Sequence, residues 1–290
     1  KVGAGFEQQI TSAAAKFPGM VRRGTEVFGE LSAAARAVGS ATEFSASQAA
    51  AALNFLATAG FQAQQSIRAL PKIVDLATSA GVGLGVAADI ASDALGQFNM
   101  SSKDTEVQTA NLSRIMDVMS KTATTANVTI EALFESFKDA GPVATAAGAS
   151  IETVSALVAA LANAGIKGAR AGTAIRAVFT RLQAPTGDAA KVIRRLGIET
   201  RDAAGGMLDV VDVLGSVDKA LEKFGTAEKA QILKAIFGEE AIASVNVLLA
   251  TGSKELGKYR GSLEDAAGST KKLATVIRDT TEKDIDGMSS

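Results

Sequence analysis

Glycine interrupts this alanine-rich chain at short intervals, and between the glycines apolar residues recur three and four positions apart. That spacing builds one apolar face of an α-helix, and the alternation typical of a half-buried strand is scarce. Glycine in the left-handed conformation can end a helix. The glycines predicted to do so are Gly60, Gly81, Gly96, Gly141, Gly165, Gly197 and Gly238. The sequence therefore predicts an all-α protein, a compact multi-helix bundle of about a dozen short helices and helical hairpins.

Hydroxyl side chains mark the starts of several predicted helices. Ser45 and Gln48 have the spacing of a capping box, in which each side chain accepts a hydrogen bond from the other residue's backbone N–H. Thr129 and Ser150 each precede an isoleucine and a glutamate, which is typical of a helix N-terminus. The same signal predicts helix starts at Ser101-x-x-Asp104 and Ser262-x-x-Asp265.

Two regions of the chain depart from regular short helices. The first helical region covers residues 6–38 and is interrupted at Pro18–Gly19. Residues 197–207 contain two extended stretches around a glycine-containing turn, and this pattern predicts one small β-hairpin.

The composition removes most familiar catalytic and metal chemistry. The chain has no histidine, cysteine or tryptophan and a single tyrosine, which excludes a Ser-His-Asp triad, a cysteine nucleophile and a zinc site of thiolates and imidazoles. The adjacent carboxylates Glu239 and Glu240 would point in different directions on a helix, and a sugar cleft would lack aromatic platforms. We therefore predict no enzymatic activity, no cofactor and no metal site.

The overall charge is close to neutral. Lysine and arginine number 30, and aspartate and glutamate number 31. No global field steers the chain toward nucleic acid or anionic lipid, so we predict no specific nucleic-acid binding.

The most distinctive segment lies between residues 164 and 176, where glycines alternate with cations. Backbone amides and cations in this arrangement could hold an anion. The alternative is a turn that enters a helix, with small residues allowing a neighbouring helix to approach closely. We favour this second interpretation, a packing or partner-contact motif, formed by Gly165, Lys167, Gly168, Arg170, Gly172 and Arg176.

The stretch from Pro142 to Ile166 carries a single charge, Glu152, and has the hydropathy of a membrane segment. Gly148 and Ser150 divide it, so each half is too short to cross a hydrocarbon core of about 30 Å. A buried helical hairpin is the favoured interpretation, and a hairpin that inserts into a membrane during function is the alternative. The candidate residues are Pro142, Gly148, Glu152, Leu157 and Leu161.

Four ordered pieces of the chain resemble the phage tail tape measure protein family, in the helical core domain of those proteins. The pieces are ATEFSASQAAAALNFLATAGFQAQQSIRALPKIVDLA, AADIASDAL, GPVATAAGASIETVSALVAALANAGIKGARAGTAIR and FGEEA. The pieces lie between residues 41 and 241 in the family's order, and the resemblance extends over about residues 6–262. The long helical ruler and the C-terminal hydrolase typical of such proteins are missing, so the chain is expected to be part of a longer protein.

The resemblance implies an organisation and a role. Residues 1–44 would be an N-terminal helical segment leading in from a longer chain, 45–262 the tape-measure-type core, and 263–290 a charged helix or linker leading out. The family sets tail length, nucleates tail tube assembly and is released before genome delivery. The alternative function is a membrane-inserting channel component for DNA delivery into the host cell.

The resemblance also implies partners and a location. The expected partners are tail tube proteins, baseplate or distal tail proteins, tail assembly chaperones and further copies of the chain in a homo-oligomer, expected to be a trimer. Transient contact with the host membrane belongs to the alternative function. The expected location is the virion tail, inside the tube or at the baseplate, and the host cytoplasm during assembly.

Overall fold

The computed structural model describes residues 2–17, 19 and 21–288, and it confirms the all-α fold class. The described residues form fifteen α-helices and no strands. The first eight helices are α1 (Val2–Lys16), α2 (Glu26–Ala41), α3 (Ala46–Thr58), α4 (Ala63–Ala80), α5 (Leu84–Gln97), α6 (Thr105–Thr125), α7 (Ile130–Ala146) and α8 (Ile151–Asn163). The others are α9 (Ala169–Gln183), α10 (Gly187–Leu196), α11 (Val210–Leu221), α12 (Thr226–Phe237), α13 (Ile242–Thr251), α14 (Ser253–Glu264) and α15 (Ser269–Met288).

The helices belong to two compact units. Unit 1 takes the described residues of Lys1–Gly96, Met100–Ser120 and Ala267–Ser290, and unit 2 takes Gln97–Asn99 and Lys121–Ala266. The chain therefore leaves unit 1 inside α6, builds nearly all of unit 2, and returns to unit 1 just before α15. The predicted core segment, 45–262, draws on both units.

Unit 1 is built around α3 and α4, which pack against each other. α3 also packs against α1 and α2, and α4 against α2. Leu53 and Leu56 of α3 and Ile73 and Leu76 of α4 are completely buried. The capping box that starts α3 is confirmed: the Ser45 N–H donates to Gln48 Oε1 at 2.8 Å, and the Gln48 N–H donates to Ser45 Oγ at 3.2 Å. Local capping thus fixes where α3 begins, and its apolar face fixes what it packs against.

Unit 2 is built around α8, which contacts α7, α9, α13 and α14. Every residue from Ile151 to Ala162 is buried. Beside it, the rings of Phe98 and Phe137 meet edge to face, with centroids 5.0 Å apart. Because α8 is buried on all sides, it occupies the centre of a helical core.

The predicted β-hairpin at 197–207 is wrong in its extent. The structure has one isolated antiparallel bridge, between Arg201 and Met207. The Asp202 N–H donates to Gly206 O at 2.9 Å and the Leu208 N–H donates to Thr200 O at 3.0 Å, so the turn is closed by only a few bonds. Polar residues at the tip are exposed, and such a short ladder offers no apolar face to bury.

Two predicted helix ends are wrong. Gly96 lies in the last turn of α5 and Gly141 lies inside α7, and neither has a positive φ.

Two predicted helix starts are also wrong. α6 begins after Asp104, whose Oδ1 accepts hydrogen bonds from the N–H groups of Glu106 and Val107 at 2.9 Å, so Asp104 rather than Ser101 is the cap. Ser262 lies inside α14 and donates to the Tyr259 carbonyl at 2.8 Å. A serine inside a helix can donate a hydrogen bond to a preceding carbonyl, and in sequence it gives the same signal as a serine that caps a helix.

The first helical region is divided as predicted, with α1 ending at Lys16 and α2 beginning at Glu26. Pro18, at the predicted interruption, lies outside the described residues. Thr129 and Ser150 cap α7 and α8 as predicted, because their hydroxyls accept from Ala132 N–H and Thr153 N–H at 3.2 Å.

Acidification is expected to weaken unit 1 at Glu43, between α2 and α3. Burial raises the pKa of Glu43, but a hydrogen bond from Thr78, a backbone hydrogen bond and the charge of Arg278 outweigh it, and the pKa falls below its ordinary 4.5. A carboxylate with a lowered pKa stabilises the folded state above its unfolded pKa, and this stabilisation is lost as the pH falls through the folded value.

Urea unfolding of the wild type and of Glu43→Gln between pH 6 and pH 3 would test this. The wild-type advantage should shrink as the pH falls below about 4.5. The exposed Glu199→Gln is the matched control and should show no such convergence. A difference between wild type and Glu43→Gln that is independent of pH would contradict the prediction.

Candidate functional site

The segment singled out at 164–176 forms the turn from α8 into α9 and the first two turns of α9. Gly165 has φ of +85° and lies directly after α8, and the Ile166 N–H donates back to Leu161 O at 2.9 Å. Gly168 has φ of +61° and precedes α9, and its carbonyl accepts a hydrogen bond from Ser136 Oγ at 2.9 Å. Both positions use the left-handed region, which glycine adopts without strain.

Gly172 lies where α9 approaches α7 most tightly. A Cβ added to Gly172 would lie 2.5 Å from the Ser136 carbonyl oxygen, 2.9 Å from Ser136 Cα and 3.1 Å from Asp139 Cβ. The contact on α7 is mainly backbone, so a flexible side chain cannot move aside to make room. The helices can approach this closely only because residue 172 has no side chain.

The cations of the segment do not gather around one point. Arg176 faces α7, where its Nη1 lies 3.6 Å from Asp139 Oδ1, and Thr173 Oγ1 donates to Asp139 Oδ2 at 3.0 Å. Arg170 lies on another side of α9, facing the Glu239–Ala241 turn, and Lys167 is half-buried in the turn before α9. This arrangement does not form an anion-binding nest of the kind considered as the alternative.

A groove in unit 2 separates α9 from the 3₁₀ turn Glu239–Ala241 and α13. Its volume is about 330 Å³. Small side chains make up most of its walls, with Arg170 on one rim and Glu240 on the other. Its lining residues are Ile166, Ala169, Arg170, Thr173, Ala174, Ala177, Glu240, Ala241, Ala243 and Ser244.

The groove brings together two pieces that are distant in sequence. One wall comes from the glycine-rich segment, and the opposite wall begins in FGEEA at 237–241. Sequence reasoning identified both pieces but did not predict that they face each other. It missed Ala243 and Ser244, which carry no motif that could have revealed them.

The two adjacent carboxylates at this groove have different environments. Glu239 is exposed, and a hydrogen bond from Lys234 at 2.8 Å together with the charge of Lys234 holds the pKa of Glu239 below its ordinary value. Glu240 instead lines the groove. One carboxylate is therefore engaged within the fold, and the other lies at the groove.

The residues of the candidate membrane hairpin lie in α7, in the α7–α8 turn and in α8. Pro142 is inside α7, and Gly148 has φ of +84° in the turn. Glu152 is 2% exposed, and Leu157 and Leu161 are completely buried. Glu152, Leu157 and Leu161 are therefore part of the unit 2 core, whereas Pro142 and Gly148 are exposed.

Among the described residues, no single helix is both long enough and apolar enough to span a membrane. The pair α4 and α5, bent by 108°, passes the test of length and composition when taken together. Within the same described residues, no three acidic side chains lie close enough to hold a metal ion.

Comparisons with known proteins match almost the whole chain. Residues 32–238 match the family described as phage-related minor tail protein. The tape measure protein of Pneumococcus phage Dp-1 is 27% identical over 288 residues, covering 99% of this chain and 24% of that protein. The probable tape measure protein of Escherichia phage P2 is 32% identical over 259 residues, covering 88% of this chain and 31% of that protein.

The chain thus spans about a quarter to a third of the length of these curated relatives. No solved structure matches it. The family match covers well over half of the chain, and it confirms the resemblance drawn from the four ordered pieces. The chain therefore belongs to the phage-related minor tail protein family, and phage tape measure proteins are among its relatives.

Proposed function

We propose that this chain is a folded assembly module of a phage tail tape measure protein, with a structural role in the tail. Setting tail length, nucleating the tail tube and leaving before genome delivery would be the work of the whole protein. The observation that carries the proposal is compaction: the described residues fold into two compact units of short helices.

A ruler requires extension, and this fold provides little. A continuous helix of this chain would span about 435 Å at about 1.5 Å per residue. The longest helix within the described residues, α6, has 21 residues, which corresponds to about 32 Å. The proposal therefore assigns length measurement to sequence outside this chain and assembly contacts to the folded units.

The groove between α9 and α13 is the proposed contact site for a tail partner. Its small side chains allow close approach of a protein segment, and Arg170 and Glu240 offer opposite charges on its two rims. Tail tube, baseplate or distal tail proteins, assembly chaperones and other copies of the chain are the candidate partners implied by the resemblance.

Tail length measured by electron microscopy would test the module against the ruler. An insertion of about 40 residues of helix-forming sequence between Ala203 and Ala204, in the exposed turn at 202–206, adds length without entering the core. A ruler would lengthen the tail by about 60 Å. A folded module should leave tail length unchanged, with infectious particles.

The matched variant keeps the number of residues and disrupts the fold. Gly172→Leu changes no chain length, so a ruler that only counts residues would give tails of normal length. The module proposal expects the loss of tails. Lengthened tails with the insertion, or normal particles with Gly172→Leu, would contradict the proposal.

A further inference from the structure

The start of α15 is held to unit 1 by one carboxylate. Asp117 of α6 accepts hydrogen bonds from the Gly268 N–H at 2.8 Å and the Thr270 N–H at 2.9 Å. These backbone groups would otherwise lack partners at the helix N-terminus, and a negative charge there also complements the helix dipole. The segment at which the chain returns to unit 1 is therefore hydrogen-bonded to α6, the helix within which the chain left unit 1.

A buried polar contact follows directly after this cap. Thr270 is 4% exposed, and its hydroxyl accepts from Ser120 Oγ at 3.0 Å. Its carbonyl accepts from Ser79 Oγ of α4 at 3.1 Å. The first turn of α15 thus contacts both α6 and α4 through hydrogen bonds.

About two turns farther along α15, Arg278 makes a second polar attachment. Its guanidinium lies 2.9 Å from Asp75 Oδ1 and 3.2 Å from Glu43 Oε2, and it donates to Thr78 Oγ1 at 2.9 Å. The Arg278 side chain is 30% exposed and the Asp75 side chain 21% exposed. These charges are reached by solvent, so dissolved ions can screen their attraction.

Apolar burial contributes little to the attachment of α15. Among its described side chains, Ala274 is the only buried apolar one, Leu273 and Ile277 are half-buried, and Val276 is 56% exposed. The neighbouring α4, in contrast, buries four large or medium apolar side chains in the unit 1 core, namely Leu70, Ile73, Val74 and Leu76. Salt weakens the ionic contacts of α15 but not the apolar contacts of α4.

We propose that α15 is a releasable strap on unit 1, held at Asp117 and Arg278, which detaches from α4 and α6 while the other helices of unit 1 stay folded. Release would free the segment that begins at Ala267 to extend away from unit 1, because the chain returns to unit 1 only at that residue. The inference uses only contacts within unit 1 and does not depend on the proposed function.

Hydrogen–deuterium exchange of the full chain at low and high salt would test the strap. We expect amide exchange in α15 to accelerate at least about tenfold from low to about 0.5 M salt, while exchange in α4 stays unchanged. Arg278→Gln should produce the faster α15 exchange already at low salt. The control Lys258→Gln removes an ion pair within α14, at 2.9 Å from Glu255, and should leave α15 unaffected.

A disulfide supplies the second arm, since the chain has no cysteine of its own. The double variant Ser120→Cys and Thr270→Cys replaces two hydroxyls that lie 3.0 Å apart. Oxidation should abolish the salt response at the start of α15, and reduction should restore it. The proposal would be overturned if exchange in α15 and α4 accelerated together, or if α15 responded to neither salt nor Arg278→Gln. Failure of the two cysteines to form a disulfide would also overturn it.

Discussion

Replacing Gly172 with leucine is expected to unfold unit 2. An added Cβ alone would lie 2.5 Å from the Ser136 carbonyl oxygen, and the atoms that would have to move belong largely to the backbone of α7. Overpacking of a well-packed contact costs about 1 to 3 kcal/mol for small additions, and more when the backbone must shift. We expect about this cost for Gly172→Ala and a larger one for Gly172→Leu.

Urea unfolding followed by circular dichroism would measure these free energies. Gly257→Ala is the matched control, because Gly257 lies inside α14 of the same unit and an added Cβ would have no atom within 4 Å. Alanine is favoured over glycine within a helix by about 0.5 to 1 kcal/mol, so this variant should be neutral or slightly stabilising. Equal effects of Gly172→Ala and Gly257→Ala would show that α7 and α9 are not in close contact.

Truncating Leu157 to alanine is expected to cost about 2 to 5 kcal/mol of unfolding free energy. Leu157 is completely buried in α8, which contacts four other helices. The methyl groups removed would leave a cavity that the surrounding helices can fill only in part. Leu157→Lys should be more damaging, because it places a charge in the same position.

The same measurement separates a core helix from a membrane segment. Val107→Ala is the control, since Val107 is 48% exposed on α6 and its truncation should change stability by less than about 0.5 kcal/mol. If α8 served chiefly to enter lipid, Leu157→Ala would reduce leakage from lipid vesicles and leave the unfolding free energy unchanged. That result would contradict the position of α8 in the unit 2 core.

Local sequence signals predicted the helices but not how the helices associate. The caps at Ser45, Thr129 and Ser150 were predictable because each forms its hydrogen bonds within three residues of itself. The false starts at Ser101 and Ser262 show the limit of the same signal. A hydroxyl near a helix end can cap the helix or bond a preceding carbonyl, and the choice depends on the surrounding chain.

The candidate site was only half accessible from sequence. The glycine-rich segment at 164–176 stood out by its composition, and close helix packing was one of its two interpretations. The partner of Gly172, however, is Ser136, and the partner of the Arg170 rim is Glu240, which lies 70 positions farther along the chain. No periodicity or spacing connects residues that far apart.

The sequence by itself determined the all-α fold class, several helix starts and ends, and the membership of a phage tail family, because helix formation, capping and family motifs are properties of contiguous residues. Only the tertiary structure decided that α8 is the centre of unit 2, that α9 and α13 enclose a groove, and that Arg278 meets Glu43 and Asp75. The physical reason is that these contacts depend on which helix faces pack together in the folded protein. Because the free energy of burial is similar for many apolar faces, the local sequence does not select among them.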